Sequence, residues 1–236
     1  MRRHTAVALA AVSVVACLTL PRPAWARQDV PRPVAGGGVF VPDWKGKIDA
    51  QEERRGAKLT DSKLTKEADA LHVTTGPAVI YWNPANVASG DYTVKAMFRE
   101  PKYMNLNDHP HPYGIFIAGN RLDTDQQSLL YCATYGNGSV IVRGFGPQPF
   151  QLNGRGGERN AAVHKALGPG QPVEQEIAVS VKGDTVTCAV NGTVIGSYDK
   201  AAVVTAGKLK STDGTYGIRF AHNTEGLVTG LTLTKP

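Results

Sequence analysis

Toward the C-terminus, apolar and polar residues alternate in short runs that glycine turns cut at close, regular intervals. A period of two sets one face of each run against a core and the other toward solvent, the pattern of half-buried β-strands. Gly183-Asp184 and Asn191-Gly192 join successive runs as tight turns, and residues 216–221 and 228–234 close the chain as two more strands. Upstream, the pattern predicts strands over 58–64, 70–74, 78–82, 92–99, 113–118, 129–135 and 140–145, then 176–181, 185–190 and 193–197. No stretch sustains a helical period. The fold class is therefore all-β, with two packed antiparallel sheets.

Alternation also assigns faces. Cys132 shares a strand face with Leu130, and Cys188 shares one with Val186 and Val190, so both thiols point into the core. Tyr216, Ile218 and Phe220 face inward, which puts Arg219, Ala221 and Asn223 on the outer face. Tyr131 and Tyr135 lie opposite Cys132, with Arg143 near the end of the partner strand. Tyrosine rings offer flat apolar surfaces to sugar rings, while arginine and asparagine donate hydrogen bonds to hydroxyls. Tyr131, Arg143, Arg219 and Asn223 together make a saccharide platform if they share one concave sheet; the competing reading is an ordinary solvated face.

The N-terminus has a different pattern. Arg2 and Arg3 precede an apolar run over 6–20 that breaks at Pro21 and ends in Ala24-Trp25-Ala26, the layout of a secretory signal peptide over residues 1–26. The run is shorter than the roughly 20 residues that span a bilayer, so no transmembrane segment is expected. Val14-Val15-Ala16-Cys17 supports an alternative, a lipoprotein anchored through Cys17. Residues 27–42, with Pro31, Pro33, Pro42 and Gly36-Gly37-Gly38, have the composition of an extended tether, leaving 43–236 as one sandwich domain. The glycine-rich stretch 148–171 is a long loop, either functional or mobile.

Charge and cysteine content narrow the partners. The formal charge of +6 falls to +3 once Arg2, Arg3 and Arg22 leave with the signal peptide. Arg54-Arg55 and the spaced Lys208 and Lys210 are too sparse to neutralise a phosphate backbone, so nucleic acid is not an expected partner. Cys132 and Cys188 are the pair that remains, and secretion or periplasmic export makes them a disulfide; two buried free thiols are the alternative.

Two clusters carry candidate chemistry. In Asp108-His109-Pro110-His111-Pro112 the prolines enforce an extended backbone, so that His109 and His111 project to one side, where two imidazoles beside Asp108 suit a divalent metal. No third ligand is evident from the sequence, and the plain reading is a hydrogen-bonded loop, with no cofactor. His109 also has the chemistry of a general acid or base. Asp123-Thr124-Asp125, followed by Gln126, offers oxygens on a turn but too few for calcium, which takes six or more. Trp44 and Trp82 read as packing residues, His164 as part of the long loop, and His222 as a strand-end residue at the rim.

The order of elements, with His111-Pro112-Tyr113-Gly114-Ile115-Phe116-Ile117-Ala118-Gly119, the turn Tyr135-Gly136-Asn137-Gly138, the hairpin at Asn191-Gly192 and the closing Gly217-Ile218-Arg219-Phe220, resembles the concanavalin A-like lectin/glucanase superfamily of jelly-roll sandwiches. More narrowly, it resembles the secreted bacterial 3-keto-disaccharide hydrolase-like domains. The resemblance implies action on, or binding of, glycosides. Glucanases of the superfamily carry Glu-x-Asp-x-x-Glu on one strand, and no complete set occurs here: Glu67-Ala68-Asp69 has His72 in the third place. The expectation is an exported module that binds a carbohydrate or cell-envelope glycan. Its rivals are a 3-keto-glycoside-cleaving enzyme with His109 or His111 as base, and a structural or protein-interaction module.

Overall fold

The structure, a computed structural model, describes residues 30–236 apart from Arg155; the expected signal peptide and Cys17 lie outside the described residues. Two sheets face each other. One runs, in spatial order, β1 (Gly38–Val39), β3 (Ser62–Glu67), β4 (Ala70–Thr75), β17 (Glu225–Thr234), β7 (Tyr92–Glu100), β13 (Val173–Lys182), β14 (Thr185–Val190) and β15 (Thr193–Asp199). The other runs β11 (Phe150–Gln151), β10 (Ser139–Phe145), β9 (Ser128–Tyr135), β8 (Pro112–Asn120), β16 (Gly214–Phe220), β5 (Val79–Trp82) and β2 (Lys45–Ile48), with β12 (Glu158–Arg159) beside β10 and β6 (Val87–Ala88) beside β16. Pairing is antiparallel throughout except for β1 on β3. This is the all-β sandwich that the alternation predicts.

Inward positions behave as the two-residue period requires. Tyr92, Val94, Ala96 and Phe98 of β7 meet Tyr113, Ile115 and Ile117 of β8 and Ile218 and Phe220 of β16 in one buried cluster between the sheets. Apolar area removed from water stabilises by roughly 25 cal/mol per Å², so this layer carries most of the fold. Cys132 on β9 and Cys188 on β14 form a disulfide that joins the sheets across that core, with Cα atoms 6.0 Å apart. The free-thiol alternative does not hold.

Several expected boundaries move. Residues 58–64 begin as a 3-10 turn, Leu59–Asp61, because the Asp61 carboxylate accepts a hydrogen bond from the Lys58 N–H at 2.7 Å and curls the chain before β3 starts. Two short helices, α1 (Ala50–Arg54) and α2 (Lys200–Val203), sit where no periodicity announced them; neither is long enough to show a helical repeat. Residues 30–42 do not behave as a free tether: β1 pairs with β3, and the Arg32 N–H donates to Asn223 Oδ1 at 2.8 Å. Proline and glycine suit an edge strand as well as a linker, which is why composition misread them.

The long connection between β10 and β13 is likewise docked. β11 and β12 pair with β10, and Val163 is buried. Gln175, inside the sandwich end, donates to the His164 carbonyl and accepts from the His164 N–H, so the loop is pinned to β13. Among the described residues, no helix is long and apolar enough to cross a membrane.

Candidate functional site

The outer face of the nine-stranded sheet departs from the half-buried pattern. On β8, β9 and β10, nearly every residue is buried, on both faces. Ile80, Trp82, Phe116, Leu129, Tyr131, Ala133 and Ile141 form a second apolar cluster on the side away from the disulfide, with half-buried Tyr135 and Phe145 packed against it. The ring of Phe116 lies over Gly217 on the adjacent strand, where a Cβ would come within 2.7 Å of the ring.

Arg219 projects into this layer. Its guanidinium carbon stands 4.9 Å from the ring centres of both Tyr131 and Phe145. Its two terminal nitrogens donate to Asp49 Oδ1 and Oδ2 at 2.8 and 2.6 Å, a bidentate pair whose acceptor precedes α1. Burial works against the charge, yet the Asp49 carboxylate outweighs it and raises the Arg219 pKa. A cation set against two aromatic rings is favoured by their quadrupoles as well. Tyr131 is only 5 % and Arg219 only 7 % exposed, so both form the floor of the face. Arg143, paired with Tyr131 across β9 and β10, is exposed.

At the end of the same strands, Ser128 and Gly146 border a cleft of about 520 Å³ beside the Leu129–Phe145 pair. Arg121, Lys208 and Lys210 give it positive charge, Asp125 opposes them, and Gln126 adds a neutral amide. Arg121 Nη1 donates to Gln126 Oε1 at 2.6 Å, and Lys208 Nζ donates to the Ala202 carbonyl at 2.8 Å. The Asp123–Asp125 turn considered for calcium instead directs Asp125 toward Lys47 Nζ at 3.3 Å.

The four proposed saccharide contacts do not all meet. Tyr131, Arg143 and Arg219 share the outer face. Asn223 has left the strand: with φ 50 it turns the chain after β16, donating to the Val30 carbonyl and accepting from the Arg32 N–H. Period-two counting placed it beside Arg219 because the sequence does not mark where β16 ends.

The histidines converge. His109 Nε2 and His111 Nε2 lie 2.8 Å apart, and Asp108 Oδ1 lies 2.9 Å from His109 Nδ1. The His222 ring stands edge-on to His111 with centres 4.1 Å apart, and one ring nitrogen from each of the three lies within 4.8 Å of the others. All three side chains are half-buried. The hydrogen bond from His109, the largest cause, holds the Asp108 carboxyl below its usual pKa. Asn107 Nδ2 donates to the carbonyls of His222 and Asn223, and the Ala221 N–H donates to the Pro112 carbonyl, so the histidine loop is fastened to the end of β16. His222 escaped the sequence reading as a partner because only this tertiary contact brings it there.

Two further polar features were not foreseen. The incomplete carboxylate motif is an ion-pair group: His72 Nδ1 lies 3.1 Å from Glu67 and its Nε2 2.9 Å from Glu225. Glu100 is buried at the end of β7, where burial pushes its carboxyl up to about 7 despite a hydrogen bond from the Met104 N–H.

No protein-family model and no curated relative matches the sequence. Among solved structures, the chain is similar to a protein of unknown function with a galectin-like fold from Bacillus subtilis, at TM-score 0.51 and 11% identity over 82% of this chain and 89% of that one. It is also similar to the exoplasmic/lumenal domain of VIP36 in a calcium- and mannose-bound form, at TM-score 0.50 and 11% identity over 87% and 88%. At this identity the likeness is one of fold, and the fold of this chain is the concanavalin A/galectin-like β-sandwich.

Proposed function

We propose that this chain is an exported carbohydrate-binding module that holds a cell-envelope glycan on the outer face of its nine-stranded sheet. The observation that carries the reading is the Arg219–Tyr131–Phe145 stack, an aromatic and cationic layer on the side of the sheet that the sandwich core does not use. Arg143 and the half-buried Phe145 and Tyr135 are the reachable contacts; Tyr131 and Arg219 hold them in place. An aromatic face takes the apolar face of a pyranose, and a guanidinium donates to its hydroxyls. The adjoining cleft extends the surface by a volume within the range of small-ligand sites. Export is supported by the leader-like N-terminus and by the inter-sheet disulfide, which persists in oxidising compartments.

Thermal unfolding against a panel of cell-envelope glycan fragments tests the reading, because a ligand that binds only the folded state raises its stability. A shift with at least one glycan that Arg143→Ala abolishes is the expected result; no shift across the panel overturns it.

One observation favours a second reading, a 3-keto-glycoside-cleaving enzyme: the three histidines beside Asp108 converge. A keto group acidifies the neighbouring C–H, and an imidazole is a suitable base. Loss of a 3-keto-glycoside in the presence of the protein, absent with His111→Ala, would establish it.

A further inference from the structure

We infer that His109, His111 and His222 bind a divalent transition metal of the zinc class, with Asp108 orienting His109 as an outer partner. The inference does not rest on the glycan reading, whose residues are others; it shares its histidines with the enzyme reading but is argued from ligand geometry, so metal binding and catalysis are tested separately.

The donor set matches the metal. Imidazole suits zinc, copper and nickel, whereas calcium and magnesium take oxygen. At metal–nitrogen bonds of about 2.0–2.1 Å, ligating nitrogens in a tetrahedral site stand roughly 3.3 Å apart. His109 Nε2 and His111 Nε2 already approach to 2.8 Å, and one ring nitrogen from each of the three histidines lies within 4.8 Å of the others. Binding requires the His109–His111 pair to part slightly, to the spacing of two ligands on one metal.

The surroundings prepare the ligands. A metal-binding imidazole commonly donates its second N–H to a carboxylate, which fixes the tautomer and leaves the other nitrogen's lone pair for the metal. Asp108 Oδ1, 2.9 Å from His109 Nδ1, stands in that position and directs His109 Nε2 toward His111. Pro110 and Pro112 restrict the backbone on either side of His111. Asn107, donating to the His222 carbonyl, fixes the distance between the loop and the third histidine. Among the described residues three nitrogens converge, so a four-coordinate metal keeps one position for water or a further ligand atom.

The test is titration of the EDTA-stripped protein with Zn(II), and with Co(II) followed by visible absorption. One equivalent per chain is expected, with His222→Ala weakening binding at least tenfold and Asp108→Asn by about tenfold to a hundredfold. The Co(II) spectrum of the wild type should show nitrogen ligation that His109→Ala removes. Circular dichroism checks the fold of each variant. Should His222→Ala fail to fold, the exposed-loop variants His109→Ala and Asp108→Asn decide the matter. Absence of stoichiometric binding, or affinity unchanged in both His109→Ala and His222→Ala, overturns the site.

Discussion

The outer faces of the two sheets are built on different terms. On the eight-stranded sheet, β7 presents Thr93, Lys95, Met97 and Arg99 outward, and β13 answers with Ser180, Glu176 and Glu174. Lys95 meets Glu176 at 3.4 Å and Arg99 meets Glu174 at 3.3 Å, both pairs substantially exposed. Such pairs are worth about 0–1 kcal/mol each, and the face is a solvated surface that keeps the sheet soluble. On the nine-stranded sheet, the equivalent positions bury Phe116, Tyr131 and Ile141, and place a guanidinium and a carboxylate among them. Removing two charges from water costs several kcal/mol per ion, and the core between the sheets does not require it. The contrast separates the face that only closes the sandwich from the face organised around a fixed cation.

The largest expected effect tests what the two faces share. The disulfide closes a loop of 56 residues of sequence separation across both sheets, so the double variant Cys132→Ala/Cys188→Ala should lose about 4 kcal/mol in urea unfolding. Both faces should suffer alike. A loss below about 1 kcal/mol would show that the sheets hold together without the link.

Arg219→Ala bears on the difference itself. It strands the Asp49 carboxylate and should cost about 3 kcal/mol, whereas Arg99→Ala on the opposite face should cost less than about 1 kcal/mol. Equal costs would erase the distinction between the faces. Between the sheets, Glu100 adds a pH-dependent contribution. Its folded pKa of about 7 exceeds the ordinary carboxyl value, so stability falls as pH rises from about 4.5 through 7. Glu100→Gln should therefore raise stability at pH 8 by about 3 kcal/mol and change it little at pH 4. The carboxyl lies close to Gly136, where a Cβ would come within 2.9 Å of Glu100 Oε2, which leaves it little room to recruit solvent.

The smallest effect belongs to the solvated face. The hydrogen bond to Glu225 raises the His72 pKa, while the same bond lowers that of Glu225. The His72 contribution is complete below its unfolded pKa of about 6.5 and disappears as pH rises through the raised folded value. The Glu225 contribution is present above about 4.5 and disappears as pH falls through the depressed folded value. His72→Gln should cost less than about 1 kcal/mol near pH 6 and nothing measurable at pH 9. Thermal unfolding across that range checks it.

What the sequence disclosed follows the same division. Alternation reads correctly wherever one face meets the core and the other meets water, as on β7, β13 and β14, and it places Cys132, Cys188 and Ile218 inside. It assigns Tyr131 and Arg219 to the outer face but gives no sign that they are buried there, because burial on that side comes from Phe145, Asp49 and each other, far apart in the chain. The extended His109-Pro110-His111 pair is local and readable. Its third member, His222, is more than a hundred residues away and is brought in by Asn107, so no spacing rule could supply it. Asn223 fails for the opposite reason: one residue with positive φ ends the strand and turns its side chain to residues 30–32.

The central claim is that the nine-stranded face, and not the eight-stranded one, recognises carbohydrate. Titration calorimetry with a glycan fragment that stabilises the wild type, repeated with Arg143→Ala and with Lys95→Ala, addresses it directly. At least a tenfold loss of affinity is expected for Arg143→Ala, with wild-type affinity for Lys95→Ala. Full affinity in Arg143→Ala, or an equal loss in Lys95→Ala, would contradict it.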